Sequence, residues 1–183
     1  MDVEITYPSW ALFHALSHFE SPSERYRDEL LRAGYTDAQL EAQMAVVGSK
    51  FDRSFACSPQ EVVDRLRERF SEAFRTAPDS DGRVRLSFVW PTRVGTAGVV
   101  EESLLNDEER LSIRSERRGA SPVRTFRTER SFPTDECQLI LEGSTPAFTF
   151  ISLFAGEAAP KLSRPGETPD PYWQTHLFIR DND

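Results

Sequence analysis

The chain predicts an α+β fold, with N-terminal helices packed on a mostly antiparallel C-terminal β-sheet. Helix-start signals recur through residues 1–80. The hydrophobic period then shortens from the helical repeat to strict alternation at about residues 76–81, and no stretch alternates strand with helix. At 183 residues the chain fits either one compact domain or a helical part, 1–80, joined to a β-rich functional part, 81–183.

The first helix is expected over residues 9–19, with Trp10, Phe13 and Leu16, joined by Leu12 and Phe19, as its buried stripe. Ser21-Pro22-Ser23-Glu24 reads as an N-cap, a proline at the first helical position and a capping acid, and Ser58-Pro59-Gln60-Glu61 repeats that order. Thr36-Asp37-Ala38-Gln39 is a third capping box, while Gly34 and Gly48 stand where helices should stop. The fourth helix, residues 59–75, carries Val62, Val63, Leu66, Phe70 and Phe74 on one face. After Asp81-Gly82, Val84, Leu86, Phe88 and Trp90 alternate with Arg83, Arg85 and Ser87, the pattern of a strand with one face buried. Further strands are expected at 98–105, 111–117, 123–130, 136–142, 147–154 and 174–180, with Glu142-Gly-Ser-Thr-Pro146 turning a hairpin. The stretch 148–154 is apolar almost throughout and should be central, and the aperiodic, Pro- and Gly-rich residues 155–171 should form a long surface loop.

Charge narrows the function. Thirty acidic and 22 basic residues leave a net charge of −8, which argues against broad, non-specific nucleic-acid binding. Yet Arg110, Arg114, Arg117, Arg118, Arg124, Arg127 and Arg130 face only Glu116 and Glu129 in the same stretch. Such an island either holds an anion such as phosphate or pairs with Glu101, Glu102, Glu108 and Glu109. No apolar run approaches the roughly 18–20 residues of a membrane span, and Met1-Asp-Val-Glu lacks the plan of a signal peptide, so a cytoplasmic chain with no membrane partner is expected. Cys57 and Cys137 have neither disulfide nor zinc spacing. His14 and His18, four apart, share a helical face as a two-histidine clip would. With no HExxH and no matching acid, helix packing is the preferred reading, so neither metal nor cofactor is expected.

The order Pro91-Thr-Arg-Val-Gly-Thr, the Arg117-Arg118 pair, Pro133-Thr134-Asp135, the 148–154 strand, Ala155-Gly-Glu-Ala-Ala-Pro160 and Tyr172-Trp-Gln-Thr-His176 resembles small toxin-type ribonucleases of the barnase, EndoU and RelE-like group. The likeness covers about half the chain, and the chain departs from the group in its Ala155, where proline is commoner, and in its acidity. The resemblance implies metal-independent RNA cleavage by 2′-hydroxyl attack, which needs a proton acceptor, a proton donor and a cation for the crowded phosphorane. It points to His176 as acid or base, Arg117 or Arg118 as phosphate clamp, Thr134 and Ser152 as hydroxyl donors, and Arg118, Arg93 and Arg124 as substrate contacts. Thr149 would substitute for Ser152, but the odd separation should put the two on opposite faces of their strand. The implied partners are RNA, tRNA among the candidates, and a cognate antitoxin or immunity protein.

Each of these residues also has a purely structural reading: His176 capping the core edge, the arginines in salt bridges, Thr134 in turn chemistry and Ser152 as a small polar residue in a strand. The competing functional class is an acidic, non-enzymatic interaction protein of the immunity or antitoxin kind. Its support is the front of the chain, where 15 acids and nine bases through Asp81 would steer a cationic partner. An enzyme should bring Arg117 or Arg118, His176 and a hydroxyl into one concavity; a binding module should leave them dispersed.

Overall fold

The structure, a computed structural model, describes residues 3–180. A short strand β1 (Glu4–Thr6) precedes the helices α1 (Ser9–Ala15), α2 (Glu24–Arg32) and α3 (Asp37–Met44). Strand β2 (Lys50–Phe51) and α4 (Pro59–Arg69) complete the front. Then follow β3 (Arg83–Val89), β4 (Gly95–Thr96), β5 (Val99–Glu101), α5 (Asp107–Leu111), β6 (Arg114–Arg118) and β7 (Ser121–Phe126). The chain ends with β8 (Pro133–Thr134), β9 (Glu136–Ser144), β10 (Ala147–Ala155), α6 (Tyr172–Thr175) and β11 (His176–Ile179). Helices first and antiparallel strands after make this an α+β fold. No helix among the described residues is long and apolar enough to cross a membrane.

The helix ends follow local chemistry. Thr36 and Gln39 close a full capping box, each satisfying a backbone N–H of the other. Ser58 Oγ accepts from Glu61 N with Pro59 at the first turn. At α2 the cap is Ser23, whose Oγ accepts from Tyr26 N at 3.3 Å; Pro22 lies outside the helix and not at its first position. Gly34 ends that helix at φ +100°, a conformation in which a side chain is strained, whereas α3 ends at Ala45, short of Gly48. Helices one and four are shorter than their apolar stripes. Each passes into a 3-10 turn, Leu16–His18 and Ser71–Arg75, and the second begins where Phe70 leaves helical geometry and carries Phe74 into the core.

The strands form three sheets rather than one. The main sheet has the order β1-β10-β9-β3, the second β5-β11-β7-β6, and a small third, β2-β4-β8, is hydrogen-bonded separately, with Phe51 of β2 in the core beside β10. Pairing is antiparallel except for β1 with β10 and β11 with β7. The apolar β10 is interior, as its composition requires, and the hairpin to β9 turns where expected. Leu12, Leu16 and Phe19 from the front pack with Leu139, Phe150 and Leu153 of the main sheet in one core, while Val100, Leu105, Phe126 and Leu177 form a smaller core behind the second sheet.

A bulge in β10 changes its parity. Phe150 pairs with Leu141, but Ser152 pairs with Ile140, so the buried row Phe148, Phe150 continues as Leu153, Ala155. Thr149 and Ser152 oppose Glu142 and Ile140, two apart on β9, and therefore share a face, contrary to the expectation from simple alternation.

Candidate functional site

A cleft of about 430 Å³ opens where the 3-10 turn after α1, the 46–49 segment, the end of β10 and the second sheet meet. Two glycines allow this approach. A Cβ on Gly95 would lie 1.9 Å from the Lys50 carbonyl oxygen, and one on Gly98 would lie 2.5 Å from Ser49 N, so β4 and the start of β5 can ride directly on residues 48–51. The walls are largely apolar, with Phe154, Trp173 and Phe178 the principal rings. Trp173 stacks on Phe178 with centroids 5.1 Å apart, and the Arg118 guanidinium sits 3.9 Å over the Phe178 ring. Arg118 reaches there from the edge strand β6, where it pairs with Ser121 of β7.

At the edge of the cleft Glu157, exposed on the aperiodic segment after β10, meets His176. The Nε2 of His176 lies 3.1 Å from Glu157 Oε1, and Tyr172 Oη donates to the same oxygen at 2.9 Å. Tyr172 stacks on the imidazole at 3.7 Å, and Nδ1 donates to the Tyr172 carbonyl at 2.9 Å. Partial burial and then the neighbouring carboxylate hold the Tyr172 phenol well above its ordinary range, so it remains a donor. Burial, Glu157 and Asp135 together raise Glu136 above the usual carboxylate range.

Deeper in, His18 lines the cleft 6.4 Å from the Phe154 ring. Its Nδ1 lies 3.2 Å from the Ser49 carbonyl oxygen and 2.9 Å from Ser49 Oγ. A carbonyl only accepts, so these partners assign the proton to Nδ1 and the lone pair to Nε2. Burial, helped by the charges of Lys50 and Arg118 and opposed by the Ser49 bond, lowers the His18 pKa to about 4. The imidazole is therefore neutral at pH 7. Lys50 itself is engaged, its Nζ donating to the Ser17 and Met44 carbonyls.

The structure gathers some of the expected residues and separates others. Arg118 lines the cleft and His176 touches its rim residue Glu157. Arg117, next to Arg118 on β6, projects from the opposite face and is exposed. Arg93 forks onto Asp52 at 2.7 and 3.0 Å, and Arg124 pairs with Glu102 at 2.7 Å and the Gln174 carbonyl at 2.7 Å. Thr134 Oγ1 accepts from Glu136 N at 3.1 Å on β8. Ser152 shares the strand face of Phe154 but does not line the cleft. Elsewhere in the arginine island, Arg110 and Arg114 bond backbone carbonyls, and Arg130 makes two 2.7 Å bonds to Glu109. Most of that charge is thus tied up structurally. Among the cleft residues, Ser49 was not singled out in the sequence, Glu157 and Trp173 lay inside noted motifs without a role of their own, and His18, read there as helix packing, lines the cleft.

Comparison with models of known protein families finds no match, and comparison with curated proteins finds no relative.

Proposed function

We propose that the chain is a metal-independent endoribonuclease, toxin-like in kind, working at this cleft. The observation that carries the reading is Glu157, which lines the cleft with Arg118 and is engaged at its rim by His176. These are the residue types that 2′-hydroxyl attack requires. Glu157 takes the 2′-hydroxyl proton as it adds to phosphorus, His176 returns a proton to the departing 5′ oxygen, and Arg118 steadies the phosphorane charge. Tyr172 positions both partners, through its bond to Glu157 and its stack on His176. The carboxylate and imidazole touch in the free protein, so the phosphodiester must enter between them. Glu157, exposed at the start of an irregular segment, is the member able to give way.

Purified protein incubated with total RNA and with tRNA in EDTA should give discrete fragments. Glu157→Gln and His176→Ala should each slow cleavage by about 10²–10⁴-fold, the usual range for a lost acid or base. Arg118→Ala should also be impaired, and Arg117→Ala should match wild type. Intact RNA at high protein concentration would move the weight to an acidic interaction protein acting through its helical front.

A further inference from the structure

We propose that the inner end of the cleft is a nucleobase pocket, in which His18 Nε2 accepts a hydrogen bond from an N–H on the base edge and the Phe154, Trp173 and Phe178 rings flank the base. The proposal rests on the ribonuclease reading for the identity of its ligand, and the two fail separately.

The cavity volume, about 430 Å³, lies within the range of roughly 300–1,000 Å³ typical of small-molecule sites. Its walls are aromatic and aliphatic, with few polar groups, the composition that favours a planar ring over a sugar or a flexible chain. Of those polar groups His18 is specified most closely. Ser49 holds Nδ1, and among the described residues no side chain or backbone group bonds Nε2. That leaves one directed acceptor on a ring that stays neutral through physiological pH. The edges of adenine, cytosine and guanine each present N–H donors, and single-stranded RNA is read by stacking together with hydrogen bonds to such edges. Arg118 on Phe178 stands over the same cavity, where the nucleotide's phosphate would lie. A histidine serving only as packing would not require the open cavity before it.

The test is calorimetric titration of the full chain, in EDTA, with adenosine, cytidine and guanosine 3′-monophosphates, and with ribose 5-phosphate as the baseless control. At least one nucleotide should bind, and ribose 5-phosphate should bind at least ten-fold more weakly. Trp173→Ala and His18→Phe, the latter keeping a ring in place of the imidazole, should each weaken nucleotide binding about ten-fold or more. Trp173 is partly exposed, so its variant keeps the test decisive if His18→Phe does not fold. No binding by wild type at millimolar nucleotide, equal binding of ribose phosphate, or unchanged binding in the Trp173 variant would each overturn the pocket. Nucleotide binding without RNA cleavage would remove the ribonuclease reading and leave the pocket standing. Cleavage without binding would do the reverse.

Discussion

At the scale of single residues the molecule sets two titratable groups, one buried and one partly buried, in separate pH windows. His18 has its pKa lowered from 6.5 to about 4, so the unfolded chain binds its proton first and stability falls as pH drops from 6.5 towards 4, then levels. Glu109, bonded by Arg130 and Thr128, is lowered from 4.5 to about 2, so its contribution is intact above 4.5 and is lost as pH falls towards 2. Urea unfolding should therefore show wild type losing about 1–3 kcal/mol between pH 6.5 and 4 that His18→Phe does not lose, since the ring opens on the cleft and water there softens its burial. Identical pH profiles would mean that His18 is solvated in the folded state. The sequence named His176 and Arg118 because a histidine near a strand start and an arginine pair stand out in one dimension. It could not show Glu157 meeting His176, since that contact joins residues separated by a loop.

At the scale of elements, the caps were legible and the short strands were not. Thr36, Gln39 and Ser58 act through neighbours three residues away, so their signal is local. Strands β2, β4 and β8 hold two residues each, too few for any period, and α5 is a single capped turn. The bulge in β10 was likewise invisible, because it is defined by the register against β9. Gly95 and Gly98 mark the consequence. Both face backbone atoms that cannot swing aside, so Gly98→Ala should lower the melting temperature by several degrees and reduce nucleotide binding and cleavage together. Gly34→Ala, strained at φ +100° but clear of neighbouring atoms, should lower stability without altering the cleft. Loss of activity from Gly34→Ala in its folded state would contradict this placement of the site.

At the scale of the whole molecule, the order of helices before strands followed from the change in hydrophobic period, but the partition into three sheets did not. The cleft lies between the large core and the small one, and only tertiary structure brings those together. Net charge adds a physical demand on the functional account. A chain at −8 repels RNA at a distance, so for the proposed ribonuclease recognition would come from Arg118 and the aromatic walls at close range, and cleavage would fall on unpaired bases able to enter the cleft. The proposed chemistry is 2′-hydroxyl attack without a metal. Its most direct test is cleavage in EDTA of a short single-stranded RNA, beside the same strand carrying a 2′-deoxy sugar at the cut nucleotide. The first strand should yield a 2′,3′-cyclic phosphate end and the second should stay intact. Equal cleavage of both strands, or activity only after magnesium is added, would contradict it.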